Sequence, residues 1–229
     1  MVFRTHSSAT DPSRLVVRNL AKHFMRDGRP HRLFRDLSFT LAPSERLAIL
    51  GRNGQGKSTL IKILGGVLAP TAGDVRWTMS ASWPLGFGGA FQGALTGVDN
   101  IRFLARIYDR PIAQMMQQVE SFAELGDALT IPVKYYSTGM RARLAFGMSL
   151  AIEFDCYLID EVIAVGDALF RRKCEVELFE KRKERSFVIA SHDLGFIRET
   201  CGRALIIESG RTALYDNLDE AIDVYGASV

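Results

Sequence analysis

The sequence predicts an α/β fold in which a mainly parallel β-sheet is flanked by helices. Short apolar segments typical of buried strands alternate with longer segments whose apolar residues recur at helical spacing. A glycine-rich turn, GRNGQGKST, stands between one of these strands and the helix that follows it. The chain has 229 residues, which is enough to bury one sizeable core.

Composition restricts the class of protein. Hydrophobic residues make up 47% of the chain and charged residues 24%, values typical of a globular domain. The net charge of +3 is too small to indicate a nucleic-acid-binding protein, so no nucleic acid is expected as a partner. No apolar run approaches the roughly 18 residues that a membrane-spanning helix requires. The three cysteines follow no metal-ligand spacing, and we expect buried thiols in a reducing cytoplasm.

The N-terminal third is predicted to consist mainly of strands. Residues 1–13 contain no apolar segment of signal-peptide length and are expected to form a flexible tail. Strands are expected at residues 14–20 and 33–41, joined by the turn-rich segment RDGRPHR, and the apolar strand at 45–50 leads into the glycine loop. A helix follows the loop. The segment GDVRWTMSASW is interpreted as one further strand.

The rest of the chain alternates helices with strands. A helical block from about residue 98 to 129 is interrupted at Pro111, and MRARLAFGMSLAI continues it, so residues 98–151 are predicted to form a helical insert. CYLID and SFVIAS have the composition of buried strands and are separated by a helix through ALFRRKCEVELFEKRKE. GRALIIESG and RTALY precede a short C-terminal helix at residues 218–225.

The glycine turn matches the phosphate-binding pattern G-x-x-x-x-G-K-[ST], with a strand before it and a helix after it, as that pattern requires. Glycines allow the backbone N–H groups to line the phosphates of a nucleotide. The Lys57 ammonium is expected to reach the β- and γ-phosphates, and the Ser58 hydroxyl is expected to bind Mg²⁺. The predicted nucleotide-binding residues are Gly51, Arg52, Asn53, Gly54, Gln55, Gly56, Lys57, Ser58 and Thr59.

Polar residues that follow other apolar segments are candidates for chemistry at the same site. Asp160 ends CYLID and is placed to hold Mg²⁺ directly or through water, while Glu161 could orient or deprotonate the attacking water. His192 in SHD could contact the γ-phosphate, although a histidine after a strand can also be an ordinary surface residue. Gln92 lies between glycines that would permit a hinge, so its side chain could reach Mg²⁺ or the water.

The segment YSTGM presents a second helix start that attracts anions, with the Ser137 hydroxyl at the N-cap. Together with the glycine loop, Gln92, CYLIDE, AVGD and SHD, it resembles the motifs of the nucleotide-binding domain of ATP-binding cassette (ABC) proteins over nearly the whole chain. The resemblance implies a P-loop NTPase fold of ABC type at residues 14–229, with an N-terminal antiparallel β-subdomain and a helical signature subdomain at about 98–151.

In that family, two domains sandwich ATP head to tail. The resemblance therefore implies that a second copy of the chain is a partner, and that Ser137, Thr138 and Gly139 contact the nucleotide held by the opposite glycine loop. Asp167 in AVGD would communicate across the dimer. Phe24 would stack on adenine, or it could equally be a core aromatic. The usual L-S-G-G-Q signature keeps its hydroxyl and second glycine here, but not its first glycine or its glutamine.

A narrower resemblance involves SWPLGFGGAFQGALTG, the variant signature with Met140, and ELFEKRKERS. These segments are similar to the ATPase subunits that export lipid-linked capsular polysaccharide across the inner membrane of Gram-negative bacteria. The resemblance implies a peripheral subunit at the cytoplasmic face of that membrane, with ATP and Mg²⁺ as cofactors and a polytopic permease as partner. The segment IRFLARIY either lines the docking groove for the permease or belongs to the core of the helical insert.

Three other functions remain open from the sequence. The chain could serve an exporter of O-antigen or teichoic acid, or it could be a soluble ABC ATPase of DNA repair or translation. Soluble ABC ATPases usually fuse two ATPase domains or carry coiled-coil or zinc insertions, and this chain has neither. A degenerate regulatory nucleotide binder is the third, and the presence of Lys57, Asp160 and Glu161 argues against it.

Overall fold

The computed structural model describes residues 14–26, 28–85, 91–160 and 168–228. The strands in these ranges are β1 (Leu15–Arg26), β2 (Arg29–Leu41), β3 (Arg46–Leu50), β4 (Ala72–Trp77), β5 (Ala81–Leu85), β6 (Cys156–Asp160), β7 (Ser186–Ala190), β8 (Arg203–Glu208) and β9 (Arg211–Tyr215). The α-helices are α1 (Lys57–Leu64), α2 (Gly97–Ile107), α3 (Ile112–Ala123), α4 (Thr138–Leu150), α5 (Ala168–Glu175), α6 (Leu194–Thr200) and α7 (Leu218–Ser228). Short 3₁₀ helices lie at Gly126–Thr130 and Val133–Tyr135, and a π-helix at Val176–Glu180 follows α5.

The larger sheet confirms the predicted mainly parallel architecture. Its six strands lie in the order β5-β6-β7-β3-β8-β9, and every neighbouring pair is parallel except β8 and β9. All five residues of β7 are buried, as are four of the five in β3. This burial explains the continuous apolar runs in the sequence, since a central parallel strand is covered on both faces.

A separate three-stranded sheet, in the order β2-β1-β4, forms the predicted N-terminal antiparallel subdomain. The predicted length of the loop RDGRPHR was wrong. The strands β1 and β2 form one long hairpin, and their pairing continues to Arg26 and Arg29. The turn includes Gly28, whose φ of +72° suits glycine. Pro30 is tolerated in β2 because that strand lies at the edge of its sheet.

The segment GDVRWTMSASW was wrongly interpreted as one strand. It forms β4 in the antiparallel sheet and β5 in the parallel sheet, so the chain passes from one sheet to the other between them. Ser80 lies at this crossover, where its backbone N–H and its hydroxyl both donate to a carboxylate oxygen of Asp155, at 2.9 and 2.7 Å. Asp155 immediately precedes β6, so these bonds hold β5 beside β6.

Helices α2, α3 and α4 pack together and form the predicted helical region. The break at Pro111 is confirmed, because α2 ends at Ile107 and Pro111 is the N-cap of α3. Ile101, Val119 and Leu144 bury the common face of the three helices. The proposed boundaries at 14–229 and 98–151 stay predictions, and residues 1–13 lie outside the described ranges. None of the described helices is long and apolar enough to cross a membrane.

The three cysteines are free and buried, as expected from their spacing. Burial raises the pKa of the Cys174 and Cys201 thiols to about 12, and it raises the pKa of Cys156 still further. Thiols with such pKa values remain protonated near neutral pH, so none of them is a candidate nucleophile. They serve as small apolar side chains in the core.

Candidate nucleotide-binding site

Three neighbouring strands bring the sequence-predicted motifs to one edge of the parallel sheet. In the β3–β7 ladder Ile49 pairs with Ala190, and in the β6–β7 ladder Asp160 pairs with the same Ala190. The glycine loop follows β3, and His192 lies two residues after β7. The loop, Asp160 and His192 therefore share the carboxyl edge of the sheet, which is where ligands bind in open α/β folds.

The glycine loop has a backbone that only glycine adopts readily. Gly51, Gly54 and Gly56 have φ values of +153°, +82° and +110°. A β-carbon at Gly51 would lie 2.4 Å from the carbonyl oxygen of Ile207, so this position also excludes a side chain by contact. Gly56 is the N-cap of α1, and no side chain caps that helix start. Its first-turn N–H groups are therefore suited to bind an anion.

Lys57 lies inside the curve of the loop. Its side chain is only 6% exposed, and its ammonium donates to the carbonyl oxygens of Gly51 at 2.6 Å and Arg52 at 3.4 Å. These contacts hold the positive charge at the centre of the loop, where the phosphates of a nucleotide would lie. Arg52 and Asn53 are exposed at the rim of the same loop.

Ser58 and Asp160 meet although they lie 102 positions apart in the sequence. The Ser58 hydroxyl donates to a carboxylate oxygen of Asp160 at 2.8 Å. A hydroxyl and a carboxylate are hard oxygen donors of the kind that Mg²⁺ takes together with substrate phosphates. Within the described ranges, no group of three or more His, Cys, Asp or Glu side chains could hold a metal ion.

His192 is exposed in the short loop between β7 and α6. The next residue, Asp193, is the N-cap of α6, and its carboxylate accepts a hydrogen bond from the backbone N–H of Phe196 at 3.0 Å. This cap and the end of β7 determine the position of the histidine backbone. His192 also lines a groove of about 850 Å³ between α5 and α6.

Gln92 is exposed, and its backbone is bound to a residue that the sequence reasoning missed. Its N–H donates to the side-chain oxygen of Asn100 at 2.8 Å, and its carbonyl accepts from the Asn100 amide at 3.1 Å. Asn100 is buried in α2 together with Gly97, Ile101 and Leu104. A polar residue within an apolar helical stripe was the available signal for it.

Ser137 is the N-cap of α4, as the sequence predicted, and its hydroxyl accepts a hydrogen bond from the Met140 N–H at 3.2 Å. The preceding Tyr136 is buried and donates its hydroxyl to the carbonyl of Ala128 at 2.6 Å. Gly139 is surrounded by space, since a β-carbon there would find among the described atoms only the Ser137 hydroxyl, at 3.9 Å. Nothing within the described chain therefore requires glycine at this position.

Phe24 is 43% exposed on β1, so its alternative interpretation as a core aromatic was wrong. The Lys22 ammonium lies over its ring, 4.8 Å from the ring centre. The Gln55 side chain accepts from the Ser209 N–H at 2.8 Å, which ties the glycine loop to the turn between β8 and β9. Glu161 and Asp167, two further predicted site residues, lie outside the described residues.

Comparison with known proteins identifies relatives of this chain. Residues 34–164 match the family model described as "ABC transporter". The chain is 49% identical to the capsule polysaccharide export ATP-binding protein CtrD of Neisseria meningitidis, over 93% of this chain and 99% of that protein. It is 48% identical to the ATP-binding protein BexA of Haemophilus influenzae, over 91% and 96%. An O-antigen export ATP-binding protein of Klebsiella pneumoniae is less similar, at 36% identity over 86% and 82%.

Solved structures support the fold. A structure described as the ATP-binding subunit of an ABC transporter superposes with a TM-score of 0.76 at 21% identity, covering 93% of each chain. A dimeric ATP-binding cassette bound to ADP and Pi superposes with a TM-score of 0.73 at 19% identity, covering 89% of this chain and 98% of that one. The fold, the position of the site residues at the carboxyl edge of the sheet, and the family match all indicate the same family. The chain belongs to the ABC transporter family.

Proposed function

We propose that this protein is the ATP-hydrolysing subunit of an ABC exporter that moves lipid-linked capsular polysaccharide across the bacterial inner membrane. The observation that carries the ATPase activity is the meeting of Ser58 and Asp160 beside the Lys57 loop, at the edge where β3, β6 and β7 end. The proposed cargo rests on the identity of 49% to a capsule exporter subunit over nearly the full length of both chains.

The site residues divide the work of hydrolysis. Backbone N–H groups of the glycine loop and the Lys57 ammonium would bind the β- and γ-phosphates of ATP and stabilise the charge that develops on them. Ser58 and Asp160 would hold Mg²⁺, which would supply positive charge to neutralise part of the phosphate charge. Glu161 would orient or deprotonate the attacking water, and Gln92 and His192 would contact the magnesium site and the γ-phosphate from the sides.

A second copy would complete the site. The N-terminus of α4 attracts anions, and the contacts of Ser137 within its own chain run to α4 itself. Gly139 leaves space that the described residues do not use. Both features support close approach of a γ-phosphate held by the partner's glycine loop. Removal of that phosphate by hydrolysis would release the two copies, because a ligand shifts an equilibrium only through its differential affinity for the two states.

The helical region carries the surface proposed for docking to a polytopic permease. In IRFLARIY, Ile101 and Leu104 are buried and belong to the core of the helical region. Phe103 is 57% exposed and Ile107 is also exposed, which supports a docking role for these two residues. Exposed Leu95, Ile131 and Tyr135 belong to the same region. Exposed apolar side chains in one region of the chain are consistent with a protein partner there. We place the subunit at the cytoplasmic face of the inner membrane through this contact.

The experiment that tests the proposed function is deletion of the gene in its own bacterium, followed by analysis of the surface carbohydrate. We expect the capsule to be lost from the surface and its polymer to accumulate inside the cell. The unchanged gene should restore export, whereas the Lys57→Ala variant should not, since it removes the phosphate-binding charge. Loss of O-antigen or teichoic acid with an intact capsule would contradict the proposed cargo. Restoration by Lys57→Ala would contradict the requirement for ATP hydrolysis.

A further inference from the structure

Asn100 is a buried polar side chain near the predicted site, and its side-chain oxygen and amide group both have hydrogen-bond partners. It is 1% exposed, and its side-chain oxygen accepts the Gln92 N–H at 2.8 Å. Its amide group donates to the carbonyl oxygens of Gln92 at 3.1 Å and Thr96 at 2.8 Å, with a longer contact of 3.5 Å to Leu95. The opposite orientation would place the NH₂ group of Asn100 against the Gln92 N–H, and its oxygen against the carbonyl oxygens. The hydrogen bonds therefore define the orientation of the side-chain amide.

These bonds have a specific consequence for the glutamine. Asn100 binds both the N–H and the C=O of Gln92, so the backbone of that residue is held on both sides to the first turn of α2. The side chain of Gln92 remains exposed. Its backbone is therefore restrained while its amide is left available for a ligand.

The same loop is bonded to the segment that precedes Ser137. The Lys134 N–H donates to the carbonyl of Gly93 at 2.8 Å, and the Val133 N–H donates to the carbonyl of Leu95 at 2.9 Å. The residues that follow Gln92 thus belong structurally to the helical region. Asn100 extends that attachment back to Gln92 itself.

We propose that Asn100 is a positioning residue for ATP hydrolysis, which holds the Gln92 backbone to α2 so that the Gln92 side chain moves with the helical region. This inference rests on the proposed function. It adds a residue outside the sequence motifs, and it identifies α2 as the element that carries Gln92. Because Asn100 acts through Gln92, its removal should matter only while Gln92 is present.

The test is a double-mutant cycle on the full chain with steady-state hydrolysis of Mg-ATP. Asn100→Ala removes all of the side-chain hydrogen bonds of this residue. Asn100→Asp has nearly the same size and keeps the oxygen that accepts from Gln92, but it lacks the amide N–H donors. We expect kcat to fall about 10- to 100-fold in both variants, as for residues that orient metal-binding groups. KM for ATP should change by less than about twofold, because nucleotide binding is not removed. In a Gln92→Ala background the same substitutions should produce no further loss.

Ser149→Ala is the matched control, since Ser149 is equally buried at 1% exposure and donates its hydroxyl to Ala145 within α4, away from Gln92. Hydrogen exchange of residues 91–96 supplies a readout that does not depend on catalysis. Exchange should accelerate most in Asn100→Ala and less in Asn100→Asp, which keeps the oxygen that accepts the Gln92 N–H, and it should remain unchanged in Ser149→Ala. It also shows whether each variant is folded elsewhere in the chain.

The outcomes distinguish failure of the positioning role of Asn100 from failure of the proposed ATPase function. Additive losses for Asn100 and Gln92 in an active enzyme would overturn the positioning role alone, and so would unchanged exchange at residues 91–96. A wild-type chain that binds ATP but never hydrolyses it, even when assembled with its permease, would overturn the proposed function and the catalytic role of Asn100 together. A non-additive cycle with faster exchange supports the inference.

Discussion

At the scale of single residues, two glycines in α4 differ in their surroundings. A β-carbon at Gly147 would lie 3.2 Å from both the Val119 side chain and the Val119 carbonyl, so this glycine allows α3 and α4 to approach each other. Gly139 has no such neighbour among the described residues. A glycine in a helix disfavours folding relative to alanine, so its presence at 139 suggests a requirement outside the folded monomer.

Gly139→Ala should therefore separate stability from activity. We expect the variant to be as stable as the wild type or more stable, by up to about 1 kcal/mol, because alanine is the better helix former. ATP hydrolysis should be lost, since the new methyl group would occupy the space that we propose for the partner's γ-phosphate. Urea denaturation and ATPase assays check the two effects. Gly147→Ala is the control that should lose stability, and full activity of Gly139→Ala would contradict a shared site.

At the scale of elements, one cluster of charged side chains connects α5 with α3 and α4 of the helical region. Lys173 in α5 donates to the carbonyls of Ser121 and Phe122 at the end of α3, and to the carboxylate of Glu124 at 2.6 Å. Arg143 in α4 donates to Glu124 at 3.4 Å. A cation at the last carbonyls of a helix is favourable because of the helix dipole. These contacts tie α5 to the helical region.

The hydrogen bond from Lys173 and its charge hold the pKa of Glu124 below its ordinary value of 4.5. A carboxylate with a lowered folded pKa stabilises the protein above the unfolded pKa, and this contribution is lost as pH falls through the folded value. Wild type should therefore be slightly more stable than Glu124→Gln at pH 7, and the difference should disappear only below about pH 4.5.

Thermal unfolding from pH 7 down to about pH 2 measures this difference. Since the ion pair is largely exposed, the shift in Tm at pH 7 should stay below about 4 °C, and it should shrink in high salt. An equal Tm difference at pH 7 and well below the folded pKa would show that the charge of Glu124 is not its cause.

At the scale of the whole molecule, the proposed active sites belong to pairs of chains. Each chain offers a glycine loop with Lys57 and a helix start with Ser137, and the proposed dimer combines the loop of one with the helix start of the other. Variants that damage different halves should therefore complement each other.

Mixing Lys57→Ala chains with Ser137→Arg chains should restore activity that neither variant has alone. At equal amounts about one quarter of the wild-type rate is expected, because about half of the dimers would be heterodimers with one intact site of two. ATPase titration across mixing ratios measures the recovery. Absence of recovery at every ratio, although light scattering detects mixed dimers, would contradict the trans arrangement.

Much of the candidate site could be predicted locally. The loop at Gly51–Lys57 requires backbone conformations that favour glycine, and the apolar runs of β6 and β7 indicate buried strands with polar residues at their ends. Local backbone conformation and burial depend mainly on residues that are adjacent in the sequence. The order of the motifs and the fold class could therefore be inferred from the sequence. The roles of Glu161 and Asp167 stay predictions.

Other features depend on contacts between distant residues. The antiparallel pairing of β1 with β2 extended the hairpin beyond its expected ends, and the Ser80–Asp155 bonds accompany the division of one expected strand into two. Asn100 binds Gln92 only because α2 folds back on its own preceding loop. By itself, the sequence determined the phosphate loop and the strand–helix order, since both follow from local backbone preference and apolar periodicity. Only the tertiary structure decided that Ser58 meets Asp160, because long-range strand register brings them together.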